Sequence, residues 1–208
     1  MDEVKELKQR ILGKASEMFG KYGFSNVKTE ELASEIGISK RTLYEQYPSK
    51  KALLDDIVDS ILCDANDRVY QVIKNITEDE NSNFLEELKK LWNLNTESYM
   101  IFRKAFLDDI KKSSPQTWSK IKEFREYQIK QNFEKISSIG VKRGLSKPHI
   151  NDDILFLLYI NAINNILNPD ILSELPHNSK DVVNQIFEIL LTGSLTEEGR
   201  KLYEDMRK

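Results

Sequence analysis

The chain has 208 residues, 39% of them hydrophobic and 31% charged, so it is long enough to bury a sizeable core. Its net charge of −3 argues against indiscriminate attraction to nucleic acid over the whole surface. Because the N-terminus is acidic and the longest apolar run, 154–160, spans seven residues, we expect no secretory signal and no membrane partner. These features predict a cytoplasmic protein.

The composition also indicates the fold class. Only 8 Gly and 5 Pro interrupt long stretches of 3.6-residue periodicity, and no run of alternating β-branched residues is present. We therefore predict an all-α protein. The single cysteine, Cys63, rules out an internal disulfide, and its place on an apolar helical stripe predicts a buried structural thiol.

The first predicted helix ends near residues 20–23, and its apolar residues recur at spacings of three, four and seven. Two short helical patterns follow within Thr29–Lys50, joined by residues 37–39, and predict a helix-turn-helix. We expect Thr29 to cap the first short helix, Ser39 to cap the second, and Gly37 to adopt positive φ. Apolar residues of both helices predict a shared core: Leu32, Ala33, Ile36, Ile38, Leu43 and Tyr47.

Capping residues and periodicity divide the rest of the chain into longer helices. Ser49 is placed to cap one, Ser114-Pro115 to begin another, and Asn151 to begin a third that is apolar on nearly every side. We expect helices over 50–76, from 83 onward, and over 96–111, 115–138, 154–167 and 179–191. The predicted domains are a helix-turn-helix domain at 1–50 and a second helical domain at 51–208.

Four asparagines lie at i, i+3, i+4 and i+7 on the otherwise apolar helix 154–167: Asn161, Asn164, Asn165 and Asn168. Buried amides need hydrogen-bond partners, so this stripe should meet another polar surface, a second copy of itself, or a ligand. The sequence leaves these alternatives open.

In the N-terminal segment a set of residues resembles the signature of the TetR family of bacterial transcriptional regulators. The matching residues are Phe19, Tyr22-Gly23-Phe24, Thr29, Leu32-Ala33, Gly37-Ile38-Ser39, Leu43-Tyr44, Tyr47 and Ser49-Lys50. The signature covers about the first 55 residues, and many positions agree in order and spacing. Gln46 stands where the family often has His, Tyr47 where it often has Phe, and Arg41 where a small residue or Pro is common. Because of these departures, the operator sequence does not follow from analogy.

The resemblance implies that the second short helix enters the DNA major groove. Lys40 and Arg41 are then candidates for guanine contacts, or only neutralise phosphates. Thr29, Tyr44 and Lys50 match phosphate-contacting positions, although a cap, an exposed aromatic and a solvated lysine are the structural alternatives. The implied DNA-binding set is Lys28, Thr29, Ser39, Lys40, Arg41, Thr42, Tyr44, Gln46 and Lys50.

For the second domain the resemblance implies a pocket for a small apolar or amphipathic effector, although aromatic residues at helical spacing equally fit core packing. The candidate pocket residues are Trp92, Tyr99, Phe102, Phe106, Phe124, Tyr127, Asn161 and Asn165. The apolar helices 154–167 and 179–191 resemble the pair that forms the family's dimer interface. The implied function is a homodimeric repressor that binds a palindromic operator.

Other classes of protein have less support. An enzyme is disfavoured because His149 and His177 lie in separate connections, and no nucleophile or nucleotide-binding motif is present. No cofactor or metal is expected. The adjacent acidic pairs at 55–56, 108–109 and 152–153 fit solvation or capping. The remaining alternatives are a non-specific DNA-binding or adaptor protein, and a helical small-molecule-binding protein without DNA activity.

Overall fold

The computed structural model describes residues 2–101, 104–166, 171–172 and 176–207. These residues form helices and no strand, which confirms the all-α prediction. The α-helices are α1 Asp2–Tyr22, α2 Thr29–Ile36, α3 Lys40–Gln46, α4 Lys50–Glu78, α5 Phe84–Ile101, α6 Lys104–Ser113, α7 Pro115–Lys142, α8 Asp152–Asn161, α9 Ser179–Ser194 and α10 Glu197–Asp205. A π-helical turn, Ala162–Ile166, extends α8. Among the described residues, no helix is long and apolar enough to span a bilayer.

Packing divides the chain into two compact units. The first unit comprises Met1–Asn66 and Tyr99–Phe124, and the second comprises Asp67–Ser98 and Arg125–Lys208. The helices α4, α5 and α7 each contribute residues to both units. Because these units are defined by packing, the functional boundary near residue 50 stays a prediction.

The first unit has one hydrophobic core, to which helices distant in sequence contribute. In this unit α1 packs against α2 and α6, and α2 packs against α3. Its buried side chains include Ile11, Phe19, Leu32, Leu43, Leu54, Ile57, Phe106, Ile110 and Ile121. The helix-turn-helix therefore shares its core with α6 and the start of α7.

In the second unit, Arg143 closes the C-terminal end of α4. Its guanidinium donates to the carbonyl oxygens of Ile76 at 3.1 Å, Asp79 at 2.9 Å and Ser82 at 3.0 Å. A helix end leaves its last carbonyls without helical partners, and this side chain supplies donors for them. The loop 79–83 is thereby fixed before α5 begins.

Several sequence predictions need correction. The predicted helix start at Thr96 is wrong, because α5 continues through this residue and the buried Thr96 hydroxyl donates to the carbonyl oxygens of Trp92 and Asn93. Cys63 is exposed and not a buried thiol. Sequence reasoning also missed α10, although Thr196 caps it by accepting from the Gly199 N–H at 3.1 Å.

Candidate nucleic-acid interface

The helix-turn-helix is held by a small apolar core. Leu32, Ala33 and Ile36 of α2 are buried together with Leu43 of α3 and Tyr47 just after it. Helices of eight and seven residues are too short to be stable alone, so this shared core and α1 behind it fix their relative orientation. Five of the six predicted core residues of the module are therefore buried, and Ile38 is partly buried against them.

The turn between α2 and α3 has the predicted chemistry. Gly37 has φ 78°, and its N–H and that of Ile38 donate to carbonyl oxygens at the end of α2, at 3.1 and 2.9 Å. Ser39 caps α3, because its Oγ accepts from the Thr42 N–H at 3.0 Å. These bonds fix where the exposed first turn of α3 begins.

The predicted capping role of Thr29 is wrong. Thr29 is the first residue of α2, and Lys28 occupies the cap position, where its backbone N–H donates to the Glu31 carboxylate at 3.4 Å. The Thr29 hydroxyl instead donates to Glu30 Oε2 at 3.2 Å and lies 3.4 Å from the Tyr44 hydroxyl. Thr29 of α2 and Tyr44 of α3 therefore lie side by side, as two hydroxyl groups that can both meet one phosphate.

The two cations at the start of α3 are exposed, and each has a carboxylate partner. The Lys40 ammonium pairs with Glu30 of α2 and lies 5.8 Å from the centre of the Tyr44 ring. The Arg41 side chain is 90% exposed, and its Nε donates to Glu45 at 2.9 Å. The hydrogen bond from Lys40 lowers the pKa of Glu30 to about 2. Both pairs present charge and hydrogen-bonding groups to solvent on the exposed side of α3.

The other predicted DNA-binding residues lie around this surface. Lys28 is exposed, and Thr42 and Gln46 are half-buried. Lys50 is half-buried, and its ammonium lies 4.4 Å from the centre of the Phe24 ring. This contact differs from those of Lys40, which are with Glu30 and Tyr44. Burial lowers the pKa of Lys50, and the Asp109 carboxylate opposes the shift.

The predicted effector residues that the structure describes are divided between the two units. Phe106 is buried in the core of the first unit, and Phe124 is partly buried against it. Trp92 is buried in the second unit, whereas Tyr127 is exposed. Phe102 lies outside the described residues, and nothing is described of the Tyr99 side chain.

Sequence reasoning missed the aromatic residues that surround Trp92. The Trp92 ring lies 5.4 Å from the rings of both Tyr159 and Phe187, and the Tyr159 hydroxyl accepts from Asn95 at 2.8 Å. The buried indole N–H of Trp92 has no hydrogen-bond partner among the described residues. Trp92 and Asn95 are three residues apart on one helical face, and this spacing was the available signal for a shared site. Tyr159 of α8 and Phe187 of α9 are distant in the sequence, so no local pattern predicts their contacts with Trp92.

A large part of α8 is apolar and exposed. Ile154, Leu157 and Leu158 project from it into solvent, and Ile189 of α9 is 69% exposed. Within the second unit α8 packs against α9, so these side chains belong to neighbouring helices. Exposed apolar side chains in such numbers are typical of a surface that meets another protein.

The asparagine stripe lies on the same exposed helix. Asn161 donates to the Leu157 carbonyl oxygen, and its own Oδ1 accepts from Asn165, both at 2.8 Å. Both side chains are exposed, and Asn168 lies outside the described residues. Their local bonds leave amide groups at the surface beside apolar side chains, which favours the interface alternative over a ligand contact.

Comparisons with known proteins agree with this geometry. Residues 11–57 match the model of the family described as bacterial regulatory proteins, tetR family. An uncharacterized HTH-type transcriptional regulator of Bacillus subtilis strain 168, YvaF, is 26% identical over 192 residues, which cover 91% of this chain and 96% of the relative.

Solved structures share the fold along nearly the whole chain. A putative transcriptional regulator from Saccharomonospora viridis, in complex with choline, has a TM-score of 0.71 at 17% identity and covers 93% of this chain and 100% of its own. A TetR transcriptional regulator from Chloroflexus aurantiacus has a TM-score of 0.69 at 14% identity, with coverages of 94% and 98%. Residues 11–57 thus match the DNA-binding domain model of the tetR family, and the chain has the all-helical fold of solved transcriptional regulators.

Proposed function

We propose that this protein is a repressor that binds a palindromic operator as a homodimer and is released by a small apolar or amphipathic effector. The observation that carries the proposal is the exposed surface of α3, where Lys40, Arg41 and Tyr44 lie on a helix whose position is fixed from behind. A helix held in this way can enter the major groove with its first turn nearest the base edges.

In this proposal Arg41 reads bases and Tyr44 positions the helix. The long, exposed guanidinium of Arg41 has the geometry to donate twice to a guanine. The phenol of Tyr44 and the adjacent Thr29 hydroxyl donate to one phosphate. Lys50 adds a cation whose ammonium lies over the Phe24 ring, so less side-chain freedom is lost when it meets a phosphate.

The homodimer is proposed from the exposed apolar face of α8 and α9. Two copies that cover Ile154, Leu157, Leu158 and Ile189 would remove these side chains from water, which favours association. Asn161 ends α8 and Asn165 lies on the π-helical turn that extends it, and both would fix the register between the copies. A dimer presents two recognition helices about 34 Å apart, one turn of DNA, as a palindrome requires.

The effector site is proposed around Trp92. Its buried indole N–H, without a partner among the described residues, would donate to an acceptor atom of the effector, while Tyr159 and Phe187 offer apolar contacts. The solved regulator from Saccharomonospora viridis is a complex with choline, which supports a small-molecule effector for a protein of this fold. An effector that binds the operator-free form more tightly lowers operator affinity by the ratio of its two affinities.

The test is selection of binding sites from a random duplex library with the full-length protein. We expect a palindrome with two half-sites about 10 base pairs apart. Tyr44→Phe should weaken binding to every sequence, whereas Arg41→Ala should also broaden the selected base at one position of each half-site. Lys74→Ala, a lysine of the second unit paired with Glu78, is the control and should change neither. Enrichment of no sequence would contradict operator binding.

A further inference from the structure

The charges of α3 oppose its own helix dipole. Lys40 and Arg41 lie in the first turn, where the positive end of the dipole disfavours cations, and Glu45 lies in the last turn, where carboxylates are disfavoured. The order Arg41 then Glu45 is also the weaker orientation for an i,i+4 pair. The helix is therefore not charged in this way for its own stability.

Each of these cations is held by a carboxylate of the same unit. Glu30, at the start of α2, pairs with Lys40 across the helix-turn-helix, and Glu45 pairs with Arg41 along α3. The Thr29 hydroxyl also donates to Glu30, so this carboxylate is fixed from two sides. The hydrogen bond from Lys40 lowers the pKa of Glu30 to about 2, so the Glu30 carboxylate is ionised at neutral pH.

We propose that Glu30 and Glu45 determine specificity by competing with DNA phosphates for Lys40 and Arg41. On a random duplex each cation would exchange its carboxylate partner for a phosphate, with little gain in binding free energy. The carboxylates would also stay close to the phosphates and repel them. On the operator the base edges add contacts that only a released cation makes. The carboxylates thus weaken non-specific binding more than operator binding. This inference rests on the proposed operator binding.

The expected size of the effect is modest but measurable. Both pairs are exposed to solvent, so releasing one cation should strengthen binding to a random duplex between about twofold and about fivefold. A cation that gains a phosphate contact also releases a counterion. The slope of log affinity against log salt should then steepen by about 0.9 for each cation freed.

The experiment compares Glu30→Gln and Glu45→Gln with the unchanged full-length protein. Binding is measured by fluorescence anisotropy against two duplexes of equal length, a sequence enriched by the unchanged protein and a random one, over a series of salt concentrations. Both variants should bind the random duplex more tightly and with the steeper slope. Their ratio of operator to random affinity should fall.

Glu35→Gln is the matched control. It removes one negative charge from the same helix as Glu30, but Glu35 pairs with Lys14 of α1, at 3.7 Å. Its affinity ratio should stay at the value of the unchanged protein. Glutamine keeps the shape of the side chain, and equal melting temperatures verify that each variant is folded.

Two results would overturn this inference. The first is that the two variants, Glu30→Gln and Glu45→Gln, bind the random duplex with the same affinity and the same salt slope as Glu35→Gln. The other is an equal gain on operator and random duplexes, because charge alone would then explain it. If the unchanged protein enriches no sequence, the proposed operator binding fails first, and this separates the two failures.

Discussion

The side chain of Ser39 sets the first turn of the recognition helix, because its Oγ accepts the Thr42 N–H. We expect Ser39→Ala to lower the free energy of unfolding by about 1 kcal/mol. Thr29→Ala is the control, since the Thr29 hydroxyl is not the cap of α2 and meets only Glu30 and Tyr44. Its cost should stay below about 0.5 kcal/mol. Urea denaturation measures both, and equal losses would contradict the assignment of the caps.

Gly37 is required by its backbone conformation and not by lack of space. It has φ 78°, and a Cβ added there would meet nothing within 4 Å. Gly37→Ala should therefore cost about 1–2 kcal/mol of unfolding free energy through strain alone. Gly13, in the interior of α1, also has open space around it, so Gly13→Ala should stabilise by up to about 1 kcal/mol. Thermal unfolding measures both variants, and melting temperatures of Gly37→Ala and Gly13→Ala that shift in the same direction would contradict this prediction.

At the scale of elements, α6 supports the helix-turn-helix through Asp109. Its carboxylate accepts from the Ser25 backbone N–H at 2.7 Å and from the Ser25 hydroxyl, in the loop before α2. Asp109→Ala leaves these donors to water and should lower the free energy of unfolding by about 1 kcal/mol. The exposed neighbour Asp108, changed to Ala, should cost less than half as much in the same urea titration. Equal costs would mean that the contact does not stabilise the unit.

Local pattern predicted the helix-turn-helix well, because periodicity and caps are encoded within a few residues. The end of α2, the bounds of α3 and the start of α4, with Gly37, Ser39 and Ser49, follow from such signals. Contacts across the fold could not be predicted in this way. The sequence predicts solvation or capping for Asp109, yet its partner Ser25 lies 84 residues away.

The same limit applies to the candidate site. Exposure of Lys40, Arg41 and Tyr44 follows from the apolar face of α3, so the residues that face solvent could be predicted. The pairing of Lys40 with Glu30 depends on the angle between two helices, which the sequence does not give. Cys63 shows a related ambiguity, because it lies about 100° around the helix from the buried Leu62.

At the scale of the whole molecule, the net charge of −3 gives the surface as a whole little attraction for DNA, so in the proposed homodimer binding depends on two copies of the exposed surface of α3. Loss of the dimer should therefore lower the affinity for the operator. A monomer keeps one set of contacts, whereas in a dimer the second set binds at a high effective concentration. If the proposed homodimer forms through the apolar face of α8 and α9, this face should affect DNA affinity without touching DNA.

Leu158→Glu places a charge in the middle of that face, where the side chain is 55% exposed in the single chain. Burying this carboxylate against a second copy is costly, so we expect a monomer in sedimentation analysis at micromolar concentration. Affinity for the palindrome should fall by about a hundredfold or more, while affinity for a single half-site should change little. Leu202→Glu, on α10 and 47% exposed, is the control and should remain dimeric with full affinity. A Leu158→Glu protein that stays dimeric would place the interface elsewhere, and a monomer that keeps full palindrome affinity would remove the reason for a dimer.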